Sequence, residues 1–148
     1  MAKRVFTRIA KGIASVGGMG FPEPGEQTGL YSWLLQEDIE IVGVCMSLWN
    51  SLPSENDGFA WCNLELSQTA EYGQSGSIAS VNAMEGWNTT PAGICATNGH
   101  QVMNFPVGLS IPVKEEGHLY VNALLEGKSA GTSEFSFLVI IYYTMKGR

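Results

Sequence analysis

The most apolar part of the chain lies near its C-terminus, where two apolar runs flank a short polar connection. The runs fall within residues 109–144, and the connection covers residues 126–132. Residues 135–143, in the second run, are mainly β-branched and aromatic, which favours a strand buried on at least one face. We therefore expect the two runs to form a ribbon of strands against which the rest of the chain packs.

Two longer strand candidates precede this ribbon. Residues 39–49 are apolar on both faces, which is typical of a central strand or of one covered by a second layer. Residues 59–67 alternate, with Cys62, Leu64 and Leu66 on the apolar face, as in a half-buried antiparallel strand. Shorter strand candidates occur at residues 30–35, 78–81, 102–105 and 109–113.

The last two short candidates flank Pro106 and Gly108, which indicates one bent or edge strand. Outside the N-terminus no segment has a convincing helical pattern, and Gly is abundant at 18 of 148 residues. About eight strands separated by Gly- and Pro-containing turns predict an all-β, antiparallel β-sandwich or barrel.

The first 20 residues differ from the rest of the chain. They hold half of all the basic residues, their apolar residues recur at spacings of three and four, and glycines at 17, 18 and 20 follow. Such spacing fits a short amphipathic helix. We predict a basic N-terminal arm with a Gly hinge in residues 1–20 and one β-sandwich domain in residues 21–148.

The arm has three interpretations: it orders on an acidic partner surface, it stays flexible, or it attaches to an anionic membrane. Ordering on a partner is preferred, and no membrane partner is expected. The residues predicted to make this contact are Lys3, Arg4, Phe6, Arg8, Ile9 and Lys11.

Charge is scarce and unevenly distributed. Charged residues make up 15% of the chain, against about 25% in typical soluble domains, which suggests that part of the surface is covered by other copies or a partner. Between residues 12 and 113 there is no Lys or Arg but ten carboxylates. Nucleic acid is therefore an unlikely partner, because phosphate affinity requires clustered cations. No apolar run approaches the ~20 residues of a membrane helix.

Three cysteines, Cys45, Cys62 and Cys95, show neither a CxxC motif nor spacing to histidine that suits a metal. Their odd number and wide separation favour buried free thiols in a protein assembled in a reducing cytosol. A Cys45–Cys62 disulfide between neighbouring strands is the alternative.

The search for catalytic chemistry finds no nucleophile elbow, phosphate-binding loop or zinc motif. His100 and His118 are the only histidines. The acidic cluster of Glu37, Asp38 and Glu40 fits a solvated strand end better than a calcium site, which needs several spaced oxygen ligands. We predict no catalytic residue, metal or cofactor, and an enzyme such as a cupin-like metalloenzyme is the least favoured class.

Three aromatic residues are candidates for binding a ligand or a neighbouring subunit. Phe59 and Trp61 lie on the less apolar face of the 59–67 strand, and Trp87 lies in the Gly-, Ser-, Thr- and Asn-rich region 68–100. Contact with a loop or a subunit is preferred to a ligand platform. For residues 68–100 we expect one or two short strands and an exposed loop.

The region 106–144 resembles the end of jelly-roll domains in virion structural proteins of tailed phages and other viruses. The similarity lies in FPVGLSIPVKEEGHLYVNALLEG, a strand entered through proline, a Lys-Glu-Glu-Gly turn and a second strand, followed by a final strand that closes on IIYYT. The resemblance implies a jelly-roll-like sandwich that self-associates, with a trimer as one candidate symmetry.

By the same resemblance, the protein would be a capsid decoration protein or minor capsid component. It would be assembled in the host cytoplasm and dock on a major capsid or other virion protein through its arm. The alternative is a jelly-roll binding module, of the tail or fibre type, that recognises a receptor or carbohydrate through Trp87 and its loop.

Overall fold

The computed structural model describes residues 3–16, 25–52, 59–84, 99–113, 117–128 and 133–146. These residues form eight β-strands and no α-helix. The strands are β1 (Phe6–Val16), β2 (Gly25–Leu34), β3 (Ile39–Leu52), β4 (Phe59–Ser67), β5 (Ser77–Met84), β6 (Gly99–Ile111), β7 (His118–Lys128) and β8 (Ser133–Met145).

The strands form two four-stranded sheets. The first sheet has the order β1-β8-β3-β6 and the second has the order β2-β7-β4-β5. Every pairing between these strands is antiparallel, and the chain passes from one sheet to the other between most consecutive strands. Two facing sheets with this strand order are a jelly roll. The predicted all-β, antiparallel, jelly-roll-like sandwich of about eight strands is confirmed.

Period-two alternation supplies the core between the sheets. From β8 the inward side chains are Phe135, Phe137, Val139 and Ile141, none more than 1% exposed. The opposing sheet contributes the inward residues of β7 and β4 at the same degree of burial: Leu119, Val121, Ala123, Leu125, Cys62, Leu64 and Leu66. The sandwich is closed by apolar burial along the whole length of these strands.

The N-terminal stretch is a strand of the sandwich, so the predicted amphipathic helix is wrong. β1 pairs with β8 from Phe6 opposite Tyr143 to Val16 opposite Ser133. Ala10 and Ala14 point inward and are fully buried. The misleading residues are Val5, Ile9 and Ile13, because a spacing of four keeps side chains on one face of a helix and also on one face of a strand.

The small residues of β1 explain how it joins the sheet. A Cβ atom added to Gly12 would lie 2.9 Å from the ring of Phe137, closer than such atoms approach in proteins. Glycine at this position lets the aromatic ring of β8 fill the space beneath β1. Residues 6–16 of the predicted arm are thus built into the sandwich domain, whereas residues 17–20, with the predicted hinge, lie outside the described residues.

The predicted ribbon is also corrected. β7 and β8 are adjacent in sequence but lie in opposite sheets, each between two other strands. Sequence runs alone do not reveal this because each strand is apolar enough to be central in its own sheet. The two short candidates around Pro106 are a single strand, β6, bent where Gly108 adopts a φ of 77°. β3 is central as predicted, between β8 and β6.

The burial of β1 gives a direct test of its place in the core. We expect Ala14→Glu to lower the free energy of unfolding by at least about 3 kcal/mol, because it buries a carboxylate without a partner. Urea unfolding followed by tryptophan fluorescence measures this value. Thr7→Glu, at an exposed position of the same strand, is the matched control and should change stability by less than about 0.5 kcal/mol. Equal, small effects of both variants would contradict a buried β1.

Candidate interaction surface

The outward side of the first sheet is unusually apolar. One row across all four strands consists of Ile9, Ile140, Cys45 and Val102, which occupy matching register positions. The next row holds Lys11, Leu138, Ser47 and His100, and the row beyond it holds Ile13, Ser136 and Trp49. We define the apolar face as Ile9, Ile13, Cys45, Trp49, Val102, Leu138 and Ile140.

Several of these side chains are in contact with solvent. The exposed fractions of Ile9, Ile13 and Val102 are 56%, 51% and 57%, and that of Trp49 is 37%. A shallow groove of about 470 Å³ runs between Ile13, Trp49 and Leu138, with Lys11 at its margin. An exposed apolar surface of this kind marks an interaction site in soluble proteins.

Charged side chains are rare on this side of the sheet. At the outward positions of β1 from Thr7 to Ser15, and at their register partners, the formally charged residues are Lys11 and Glu134. Lys11 lies opposite Leu138, and Glu134 lies opposite Ser15, so the two are separated by four residues along the strand direction. That separation is about 13 Å, too long for a direct ion pair within one copy.

Two pairs of polar side chains on the same side are hydrogen-bonded to each other. The Oγ of Ser47 lies 2.8 Å from Nδ1 of His100, and Ser136 donates to the Oγ of Ser51 at 2.7 Å. Because these hydroxyl and imidazole groups already bind each other, removing water from this surface costs less free energy.

Both edges of the first sheet are obstructed. At β1, the amide side chain of Gln27 donates to the Ser15 carbonyl at 2.6 Å and accepts from the Ser15 N–H at 3.4 Å. At β6, regular pairing with β3 is interrupted between Asn104 and Leu109, and Pro106 lacks an N–H. Bulges, prolines and side-chain caps of this kind protect sheet edges from pairing with another chain.

The predicted partner-binding residues of the N-terminus divide between two sides of β1. Ile9 and Lys11 point outward, and Ile9 belongs to the apolar face. Phe6 and Arg8 point the other way and contact their own chain, while Lys3 and Arg4 precede β1 and are exposed.

Arg8 joins the two sheets at their β1–β2 edge. Its guanidinium carbon lies 4.9 Å from the ring centroid of Trp33 and 5.8 Å from that of Tyr31, and its Nε donates to the Tyr31 hydroxyl. Trp33 in turn packs on Tyr143, whose ring stacks on Phe6. Cation–π contacts of this type stabilise by about 0.5–1 kcal/mol when exposed, so Arg8 has a structural role.

The predicted ligand aromatics lie on or beyond the second sheet. Trp61 is half-buried on the outward side of the second sheet, and its indole Nε1 donates to the carboxylate of Glu126. The backbone of Phe59 is in β4, but its side chain and all of Trp87 lie outside the described residues. The site predicted from these three aromatics therefore stays a prediction.

A buried polar cluster lies on the outward side of the second sheet and was not predicted from the sequence. Glu65 and Asn122 are 3% and 0% exposed. Glu65 accepts from the Gly73 N–H at 3.0 Å. Asn122 donates to the Thr69 carbonyl at 2.8 Å and accepts from the Gly29 N–H at 2.9 Å.

This cluster anchors residues 68–76 over the second sheet. Burial raises the pKa of Tyr72, and the charge of Glu65 adds to the effect. A single sequence gives no signal for such burial, because both residues occupy outward positions in their strands. Since the partners of Glu65 and Asn122 belong to the chain itself, the cluster has a structural role.

The two described cysteines are free thiols, so the alternative of a Cys45–Cys62 disulfide is wrong. Cys45 lies on the outward side of the first sheet, whereas Cys62 lies inside the core on the second sheet. Burial raises the pKa of Cys62 to about 12. Cys95 is outside the described residues.

The parts of the chain that the structure describes contain no group of three or more His, Cys, Asp and Glu side chains able to hold a metal ion. In the same ranges there is no helix long and apolar enough to cross a membrane. In the acidic cluster, Asp38 accepts a hydrogen bond from the Val113 N–H, which fits the predicted strand-end role.

No protein family matches the sequence, and no curated protein sequence matches it. Among solved structures, the chain aligns with the BFDV capsid protein, crystallised as a decamer, at 11% identity and a TM-score of 0.47, covering 97% of this chain and 99% of the other. It also aligns with the cyanophage Pam1 capsid at 16% identity and a TM-score of 0.38, covering 95% of this chain and 86% of the other.

A further alignment is with the Eiger TNF of S. frugiperda, at 10% identity and a TM-score of 0.39, covering 91% of both chains. Capsid proteins are thus among the structures that align over nearly the full chain. Because these TM-scores are low, the fold assignment rests on the strand order itself, and function has to be argued from the surface.

The environment of Cys62 makes a testable prediction. In a Cys45→Ser/Cys95→Ser chain, we expect maleimide labelling at pH 8 to be blocked while the protein is folded and rapid in urea, because the buried thiol is protonated and inaccessible. The unfolded thiol ionises near pH 9.0 and the folded one near 12. The unfolded chain binds fewer protons between these values, so this group lowers the free energy of unfolding as pH rises above about 9.

The matched control is the Cys62→Ser/Cys95→Ser chain, in which Cys45 is the remaining thiol. Its labelling at low protein concentration should proceed without urea. Rapid labelling of Cys62 in the folded protein would contradict its placement in the core.

Proposed function

We propose that this chain is a structural protein of a virion that associates with copies of itself. The observation that carries the proposal is the apolar face, which extends over all four strands of the first sheet. An isolated soluble domain rarely leaves such a surface in water. Covering it removes apolar area from solvent, and each Å² covered contributes about 25 cal/mol.

The fold supports this proposal without deciding it. Jelly rolls occur in viral capsid proteins, lectins and cupins, so the architecture alone is compatible with several functions. The apolar face favours an assembly role over that of a lectin or a cupin. It is broad, has few charges and is open, whereas a ligand site is a pocket with convergent polar groups.

The finer part of the proposal is a capsid decoration protein or minor capsid component. It docks on a shell or neighbouring subunit through the N-terminal residues. Lys3 and Arg4 are exposed beside β1 and Lys11 projects from it, so this edge is basic in a chain with a net charge of -6. An acidic partner surface complements it, and such a contact weakens as salt rises.

Self-association is tested by solution mass. We expect light scattering of the wild-type chain to show an oligomer, and we expect Ile9→Glu and Val102→Glu to weaken it at least tenfold, because each places a carboxylate in the covered area. Leu34→Glu is the matched control: Leu34 is 54% exposed but belongs to the second sheet. A monomeric wild-type chain at all concentrations would contradict the proposal.

The virion location has its own test, namely mass spectrometry of purified particles of the source virus. We expect the chain at many copies per particle. Its absence from particles, with abundance in infected cells, would move the role outside the virion even if the chain self-associates.

A further inference from the structure

The described strands of the first sheet carry three formally charged residues on their outward side. Lys11 projects from β1, Glu40 from the start of β3 and Glu134 from the start of β8. Glu40 points outward because its neighbours Ile39 and Ile41 are buried in the core, and its own side chain is half-buried against β6. A surface that covers the apolar face has to accommodate these charges.

The central row of the apolar face consists of residues at matching register on all four strands: Ile9, Ile140, Cys45 and Val102. Lys11 and Glu40 lie on opposite sides of this row. Lys11 is level with Leu138 on β8. Glu40 is level with Thr144, six residues further along β8. The two charges are thus about 20 Å apart along the strands and about 10 Å across them, too far for an ion pair within one copy.

These positions define a two-fold axis along the central row. When two copies pack face to face, the axis that brings Lys11 of one copy onto Glu40 of the other passes midway between the two positions. The midpoint lies on β8 beside Ile140. Because the line from Lys11 to Glu40 runs mainly along the strands, the axis runs mainly across them. The central row of each copy therefore packs on that of the other.

The same axis leaves the third charge in water. Glu134 is four residues further from the axis than the level of Lys11, so it lies about twice as far from the axis. The exchange of Lys11 with Glu40 crosses two strands, and the position facing Glu134 is therefore displaced by about four strands from β8. The partner's sheet ends two strands from β8, at β6. Charged residues beyond the opposite strand ends, such as the exposed Asp38 and Lys146, fall past the partner's β1 edge by the same geometry.

A second copy therefore meets the requirements of the apolar face. In a two-fold interface each contact forms twice, so one arrangement compensates the charges of Lys11 and Glu40 in both copies. Contact through the sheet edges is disfavoured, because Gln27 caps the β1 edge and the β6 edge is broken around Pro106.

We infer that the apolar face packs against the same face of a second copy in a two-fold dimer, with its axis along the central row and Lys11 of each copy paired with Glu40 of the other. This inference rests on the proposed self-association and names its surface, its partner and its axis.

The extent of this contact determines how tightly the dimer holds. The area between the two ion pairs is about 20 Å long and four strands wide, which gives a footprint of roughly 400 Å² in each copy. Specific interfaces cover about 800 Å² of accessible surface per partner, and smaller ones belong to weak complexes. The dimer is therefore expected to dissociate on dilution.

The inference is tested by charge reversal in the full-length chain. We expect Lys11→Glu and Glu40→Lys, each alone, to weaken dimerisation at least tenfold, because each brings like charges together. The double variant restores both pairs with reversed sign and should recover dimerisation to within about threefold of wild type. Glu134→Lys reverses a charge on the same side of the sheet but outside the contact, so it is the matched control.

Sedimentation velocity over a dilution series measures the dimerisation constants, and urea unfolding verifies that each variant folds. Cross-linking with a carbodiimide, which joins a lysine directly to a carboxylate, gives an independent readout. In a mixture of nitrogen-15-labelled and unlabelled wild-type chains, we expect mass spectrometry to find Lys11 joined to Glu40 in peptides that combine both isotopes. Their separation within one copy prevents this link from forming inside a single chain.

The outcomes separate this inference from the proposed function. Self-association that is unaffected by the single variants and yields no link between Lys11 and Glu40 overturns the inference and leaves self-association through another surface. Failure of the double variant to recover, or an equal loss in Glu134→Lys, also overturns the proposed axis. A wild-type chain that is monomeric at all concentrations overturns self-association itself.

Discussion

The structure depends on the position of β8 between β1 and β3. β8 pairs with both neighbours over most of its length, and its inward side chains, headed by Phe135 and Phe137, are at most 1% exposed. Removing this strand would leave one backbone edge of β1 and one of β3 open and would empty much of the core between the sheets. Long-range pairing of this kind ties the first strand of the chain to the last.

The same strand explains why the first sheet is apolar on both sides. A strand whose neighbours and core contacts are all apolar tolerates apolar residues at outward positions too, and β8 has Leu138 and Ile140 there. Ile140 lies between Ile9 and Cys45, whereas Leu138 lies between Lys11 and Ser47. The second sheet differs, since its outward positions hold Glu65 and Asn122 in hydrogen bonds with residues 68–76. The two outer surfaces therefore differ chemically: one is largely apolar and open, and the other is partly covered by its own chain.

Side chains at the β1–β2 edge satisfy backbone groups of the first sheet and connect it to the second sheet. Gln27 satisfies the backbone of Ser15, and Arg8 lies across Tyr31 and Trp33 of the neighbouring sheet. Arg8, which the sequence suggested as a partner-binding residue, therefore holds the two sheets together. The proposed assembly through a face rather than an edge would make the contact specific, because side chains rather than open backbone groups determine what fits.

The sequence by itself determined the all-β class, the central position of β3 and the bent strand around Pro106, because period-two alternation and turn residues are local signals. The jelly-roll-like sandwich was indicated by the resemblance of residues 106–144 to virion structural proteins. It did not determine the state of residues 6–16, since Val5, Ile9 and Ile13 fit one face of a helix and of a strand equally well. Pairing with β8, through the space left by Gly12 above Phe137, decided for the strand. The sequence also identified Ile9 and Lys11 as partner-binding candidates but could not align Ile9 with Ile140, Cys45 and Val102, or Lys11 with Leu138. Those residues come from distant strands, and register between distant strands is fixed by tertiary packing.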